Sequence, residues 1–513
     1  MSSLPLLTLM LVVPLVGSLV IVVLPRGSAA LAKPVALGFS LVTLVLALVA
    51  WGQWSSGGPQ FQLVETHSWI PQFGVSYGLG VDGLSLSLII LAAILTPICL
   101  LAAWNDLGEG AGENPGRTKT YFALMLSLLA LVVGVFAATD VFLFYVFFEA
   151  MLLPVYFLIG MFGGPERKRA ALKFILYSLV GGLIMLVGVI ALYFAGPGGE
   201  QGFLVQNLIG NVGGSTEAKR WMFLAFFIAL AIKAPMVPVH TWLPDAATEA
   251  RPATAVLLVG VLDKVGTFGM IRYCLSLFPE ASRWATPVVM VLAVISIIYG
   301  ALLAIGQTDM MRLIAFTSVS HFGFIVLGIF AMTTPAGAGS GLYMFNHGFS
   351  TAGLFLIAGF LIARRGSKRI PDYGGWQRVT PVLAGTFLTV GMASLSLPGL
   401  SPFVSEFLVL VGTFQRNKAF ASIAVIGIVL CALYILLMYQ RLMTGPKPDL
   451  GAAAPADLNW REKVVVIPII ASFLILGLYP KPILDLVNPT VQQTLTHVGV
   501  SDPAPALATG GAK

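Results

Sequence analysis

The sequence predicts an all-α integral membrane protein of about fourteen transmembrane helices, forming one membrane domain over residues 1–513. Three observations predict it. Of 513 residues 58% are hydrophobic and only 10% are charged, where a soluble domain carries roughly 25% charged residues. Apolar stretches of the length a bilayer crossing needs, about 20 residues, recur along the chain. The polar connections between them, the longest being 52–80, 195–220, 364–380 and 442–462, are too short for an aqueous domain.

The apolar stretches are centred near residues 14, 41, 93, 130, 151, 182, 231, 264, 294, 321, 352, 393, 430 and 471. Residues 1–105 hold helices 1–3, and the opening "MSSLPLL" has no basic segment or A-x-A cleavage site, which predicts a retained helix. Helices 4–8 fall in 120–278, helices 9–13 in 284–442 and helix 14 in 463–480.

Lysine and arginine set the orientation. One set of alternating loops holds eighteen of them, including Arg117, Lys119, Arg167, Lys168, Arg169, Arg364, Arg365, Lys368 and Arg369. The opposite set, with the termini, holds seven: Lys219, Arg220, Arg283, Arg416, Lys418, Lys481 and Lys513. Positive loops stay inside, so both termini are expected on the periplasmic or equivalent side of a plasma membrane. The pI of 9.3 is thereby explained by topology, with no nucleic-acid partner implied. Cys99, Cys274 and Cys431 stand singly in apolar stretches without CxxC spacing. They are expected to be small core residues, and neither zinc nor iron–sulfur ligation is expected.

Four ionisable residues fall near the middle of predicted crossings: Glu149, Lys233, Lys264 and Glu406, with Asp263 beside Lys264. His240, His321 and His347 lie in or near crossings as well. A charge at the bilayer centre costs roughly 2.5–3.5 kcal/mol on insertion scales, so four together cost about 10 kcal/mol, as much as a whole domain's typical stability. One such residue could be an ion-pair staple. Four on four helices point to a shared function, and carboxylate, amine and imidazole share one: each exchanges protons. Burial penalises every charged form, so moving or neutralising one group changes the proton affinity of the next. That is a proton relay.

Proline marks where the relay bends. Pro235 and Pro238 follow Lys233, and Pro398 and Pro402 precede Glu406. Proline removes a backbone donor and frees a carbonyl, which mid-membrane is tolerated only inside protein or beside a hydrated cavity. Breaks are expected at about 233–238 and 398–404, in helices 7 and 12. Their five-helix spacing predicts two inverted five-helix repeats, helices 4–8 and 9–13.

The stretches "FEAMLLPVYFLIG", "KAPMVPVHTWLPDAATEARPATAVLLVGVLDKVGTFG", "RLIAFTSVSHFGFIVLG" and "NHGFSTAGLFLIAG" closely resemble the antiporter-like subunits of respiratory complex I. These are similar in turn to Mrp-type cation/proton antiporters. "LGVDGLSLSLIILAAILTPICLLAAW" and "LGLYPKPILDLV" look like the M branch of the bacterial NADH-quinone oxidoreductase subunits, and the likeness runs from about residue 5 to 490.

The resemblance implies a charge pair of Glu149 and Lys233, a relay through Lys264, His321 and His347, and an outlet at Glu406, with His240 supporting. It implies that this chain holds no cofactor and does not bind NADH. Flavin and iron–sulfur clusters would belong to other subunits, and chains L and N would be its neighbours in the bacterial plasma membrane. The chain departs from the family's usual "LPGFNGFVGEF" at "LPGLSPFVSEF", where Pro402 and Ser405 stand. Two other readings stay open: a sodium/proton antiporter subunit of the Mrp type, and a structural spacer whose charges are staples.

Overall fold

The computed structural model describes residues 4–107, 114–448 and 455–503; Lys513 and the first residues of "MSSLPLL" lie outside them. Among the described residues eleven helices are long and apolar enough to cross a membrane, and a pair bent by 68°, Trp460–Leu478 with Lys481–Val498, makes a twelfth. The chain is a multi-pass membrane protein. The expected fourteen is not reached on this measure: the stretch near 231 lies in Thr216–Lys233, whose 18 residues carry four charges, and the one near 393 is divided into helices of 14 and 16 residues.

Helices α1 (Leu6–Val23) and α2 (Ala32–Gln53) lead into a hairpin within the polar connection 52–80. Strand β1 (Gln62–Ile70) pairs antiparallel with β2 (Val75–Val81), Gln62 opposite Val81 and Ile70 opposite Val75. The turn closes on Gly74, at φ +66°. Both strands are tied to helix starts. The Glu65 carboxylate accepts from Leu7 N (2.8 Å) and Thr8 N (3.1 Å), amides that α1 itself leaves unpaired. Asp140 accepts from Ser76 N of β2 (2.9 Å) while capping the next helix at Phe142 N and Leu143 N.

Helix α3 (Gly83–Ala102) starts at Asp82, whose carboxylate accepts from Ser85 N at 2.7 Å. After α4 (Pro115–Ala137), α5 (Val141–Ala150) and α6 (Leu152–Phe162) meet at Met151 and make one crossing. Helix α7 (Arg167–Ala195) and the short α8 (Val205–Leu208) precede the first broken crossing, α9 (Thr216–Lys233) and α10 (Trp242–Glu249). Pro235 and Pro238 lie inside this break. The indole N–H of Trp242 donates to the freed carbonyl of Ile232 (2.9 Å), and Val237 N donates to Ser296 Oγ (3.0 Å).

The next crossing, Pro252–Leu275, alternates helix types. Helix α11 (Pro252–Ala255) runs into a π-helical stretch, Val256–Leu262, and α12 (Lys264–Gly269) into a second, Met270–Leu275. Then come α13 (Pro279–Ile305), α14 (Met310–Ala331), α15 (Thr334–Arg365) and the second broken crossing, α16 (Pro381–Ser394) with α17 (Ser401–Arg416). Helices α18 (Lys418–Met443), α19 (Trp460–Leu478) and α20 (Lys481–Val498) finish the chain. The second break covers residues 395–400, earlier than expected. Pro398 is inside it, but Pro402 is the second residue of α17. There its missing N–H has no intrahelical partner to lose, so Pro402 starts the half-helix instead of breaking one.

The two broken crossings run in opposite directions. α9 rises from the hairpin face, where Gly213 N donates to Ala195 O (2.7 Å). α16 starts on the opposite, arginine-rich face, where Asp457 accepts from Val382 N and Leu383 N. Burial then sorts the helices. Pro252–Leu275 and α14 are fully buried over their apolar windows, whereas those of α2 and α18 are 28% and 33% buried. The crossings that carry Lys264 and His321 therefore lie at the centre, sheltered from lipid.

Candidate site of buried titratable residues

Glu149 stands in the last turn of α5 and Lys233 is the last residue of α9, at the break. Lys233 is 1% exposed. Its ammonium makes no hydrogen bond and lies over the rings of Phe148 (5.2 Å) and Phe174 (5.5 Å). The expected Glu149–Lys233 pair is not a contact ion pair: Glu149 and Asp263 act on Lys233 across space, and Glu149 Oε1 is buried without a partner. Room for the Glu149 carboxylate comes from Gly182 of α7, where any Cβ would overlap it. Asp263 is fully buried with both carboxylate oxygens unbonded, and it acts electrostatically on Lys264 as well as Lys233. Buried polar atoms without protein partners are the kind that bond to water.

Beyond Lys264 the groups touch. The Lys264 ammonium donates to Val259 O (2.6 Å), within the π-helical stretch one turn earlier, and lies 2.6 Å from His347 Nδ1. Widening the helix there turns a carbonyl toward the lysine, the sort of local rearrangement found at functional sites. His347 Nε2 pairs with Thr351 Oγ1 (3.1 Å). The rings of His347 and His321 stand edge to face, centroids 5.3 Å apart, and Tyr343 packs beside both. The Tyr343 hydroxyl donates to the Glu406 carboxylate in α17. Five groups on four elements thus form a buried series: Lys264, His347, His321, Tyr343 and Glu406.

A branch leaves it at His321. The Tyr434 hydroxyl is 3.2 Å from His321 Nε2 and donates to Cys431 Sγ (2.8 Å), whose thiol donates to Ser394 O at the second break. Cys431 is therefore buried, as expected, but bonded within a polar cluster. Asn346 Nδ2 satisfies Ser401 O on the other side of that break (2.8 Å).

His240 stands apart from this series. Past Pro238 the chain turns toward the arginine-rich face, where His240 packs edge-on against Tyr299 (5.3 Å) and feels Lys173. On that face Asp245 of α10 binds Lys173 of α7 and Arg312 of α14, each at 2.7 Å, and Glu249 binds Lys368 at 3.0 Å. Tyr343 and Tyr434 escaped sequence reasoning because a tyrosine in an apolar helix carries no charge signal. The tilt of both hydroxyls toward titratable partners exists only in three dimensions.

A family model described as "NADH:quinone oxidoreductase/Mrp antiporter, TM" matches residues 138–431, which include Glu149, Lys233, His240, Lys264, His321, His347 and Glu406. The chain is 50% identical to NADH-quinone oxidoreductase subunit M of Mycobacterium tuberculosis, covering 99% of this chain and 97% of that one. It superposes on a chain of respiratory complex I from Thermus thermophilus with a TM-score of 0.86 and 30% identity, covering 96% of this chain and 100% of that one. The Mrp complex from Dietzia shares the fold, with a TM-score of 0.83 at 24% identity over 96% of this chain and 99% of that one.

Proposed function

The chain belongs to the NADH:quinone oxidoreductase/Mrp antiporter family of membrane subunits, and on that premise we propose that it is a proton-translocating membrane-arm subunit of NADH-quinone oxidoreductase. The observation that carries this reading is the buried series from Lys264 through His347, His321 and Tyr343 to Glu406, whose members are bonded or in ring contact. Each member except Tyr343 changes charge on proton exchange, and Tyr343 can pass a proton through its hydroxyl.

Protons load Lys233 beside Glu149 and Asp263, move to Lys264, cross the histidines and leave by Glu406. At an effective dielectric near 20, unit charges about 7 Å apart interact by roughly 2 kcal/mol, enough to change a neighbour's proton binding by about tenfold or more. A charge change at Glu149 can therefore be handed along without any single large movement. The energy comes from NADH oxidation and quinone reduction in other subunits, which hold the flavin and iron–sulfur clusters. Chains L and N flank this one in the bacterial plasma membrane. The lysine and arginine bias supports both termini on the outer side, and the opposed breaks support repeats at 120–278 and 284–442.

Lys233→Ala in the complex reconstituted into liposomes tests the reading. Assembly should persist while quinone-coupled proton transfer falls steeply. Normal assembly with normal pumping would leave the charges as structural staples and end the proposal.

A further inference from the structure

We propose that Arg272, ion-paired to Asp82 and stacked on Phe268, is a seal that keeps the proton on Lys264 from escaping toward the hairpin face. The inference rests on the proton-relay reading above and adds to it the closure a relay needs.

Lys264, Phe268, Arg272 and Ser276 follow one another at successive turns of the chain from the centre of the protein toward the hairpin face. At the outer end, Ser276 lines a cavity of about 330 Å³ together with Lys219, Glu280 and His497. At the inner end is Lys264, bonded to His347. Between that cavity and the lysine, along this face of the crossing, stand the Phe268 ring and the Arg272 ion pair. Phe268 is fully buried and stands edge-on to Phe136, centroids 5.2 Å apart.

Arg272 is 4% exposed. Its Nη2 lies 2.6 Å from Asp82 Oδ2, and its Nη1 donates to Ala138 O at 3.2 Å. The guanidinium is held between the rings of Phe268 (4.6 Å) and Phe61 (4.9 Å). Asp82 cannot follow it elsewhere, because its other oxygen caps α3.

None of these groups has a place in the relay. A guanidinium does not give up its proton in a protein, so Arg272 cannot pass one on, whereas lysine can. In selective pores a fixed guanidinium opposes the passage of cations and protons. A buried ion pair is weak evidence for stability by itself, and its position here, between a cavity at the hairpin face and a titratable lysine, gives it a task. Lys264 is left with His347 as its outlet.

The test uses the full complex in liposomes with an imposed pH gradient and no NADH. Arg272→Gln should make the gradient decay roughly tenfold faster, as a barrier lowered by about 1.4 kcal/mol would give. Arg364→Gln, which removes a comparably buried ion pair with Glu462 on the other face, should not. Adding Lys264→Met to Arg272→Gln should restore a tight membrane. A gradient as stable in Arg272→Gln as in the wild type overturns the seal, and a leak that survives Lys264→Met overturns its assignment to that lysine. Pumping driven by turnover in Lys233→Ala is a separate measurement, so failure of the relay reading is distinguishable. If Arg272→Gln does not assemble, an impermeant thiol reagent decides. Ser276→Cys should react from the hairpin face and Phe268→Cys should not, and equal labelling overturns the proposal.

Discussion

Gly182 of α7 stands directly against the carboxylate of Glu149, so close that a Cβ at position 182 would overlap Glu149 Oε1. A glycine in a membrane helix is ordinarily a packing residue; this one fixes where a charge sits. Gly182→Ala should displace the carboxylate and lower the number of protons moved per quinone reduced. Gly181→Ala is the control, since its Cβ would press on the flexible end of Ile232 at 3.1 Å and otherwise meet Ala229 Cα at an ordinary contact distance of 3.4 Å. Equal pumping in the two variants would show that the position of Glu149 does not matter.

Glu149→Gln keeps the shape and removes the charge. Because Lys233 makes no hydrogen bond to Glu149, the complex should assemble normally and its thermal midpoint should scarcely move. Proton transfer coupled to quinone reduction should drop sharply. A lost or unstable complex would point to a staple instead.

Tyr343→Phe takes the hydroxyl away from Glu406 and leaves a buried carboxylate with one partner fewer. A hydrogen bond to a charged group contributes about 1.5–3 kcal/mol, so a drop in stability of that order is expected, together with slower pumping. Glu406→Ala should also stop pumping, although it lies at the far end from Glu149. Pumping rates in proteoliposomes check both, and an unimpaired Tyr343→Phe would remove tyrosine from the relay.

Glu65→Ala releases the first turn of α1 from the hairpin. Loss of a helix cap costs about 0.5–2 kcal/mol, and here two amides lose their acceptor. Hydrogen exchange at Leu7 and Thr8 should accelerate with proton transfer unchanged. Unaltered exchange would show that the hairpin does not hold the helix.

Pro402→Ala should be nearly silent. At the second position of α17 the proline supplies no break, and its loss should change stability by no more than about 1 kcal/mol. A marked change in thermal midpoint or pumping rate would give Pro402 a part in the break after all.

Much of this was legible in the chain. Apolar runs separated by short polar links determine most crossings, and mid-membrane charges that cost energy stand out because nothing but function or pairing retains them. Pro235, Pro238 and Pro398 announced both breaks. The hairpin was hidden because "QLVETHSWI" lacks a regular apolar alternation and is held by Glu65, Asp140 and its partner strand. The π-helical stretches around Lys264 contain no proline to mark them. His240 looked like its fellow histidines in sequence, and only the path of the chain after Pro238 carries it elsewhere. The Tyr343–Glu406 bond joins residues 63 positions apart, a separation that no local pattern reports.

Asp245 and Glu249, on the half-helix that follows the first break, are gripped by cations from three other elements: Lys173 of α7, Arg312 of α14, and Lys368 just beyond α15. A half-helix bolted at its outer end to both halves of the protein has little freedom to swing. Transporters that rock one bundle against another need the reverse, a slack joint on each side. Lys233 itself is not held in that way: its ammonium has no hydrogen-bond partner in the protein. On the proposed relay, the working stroke would be a movement of the Lys233 side chain inside a fixed frame, small enough that a rigid frame is needed for the next charge along to feel it.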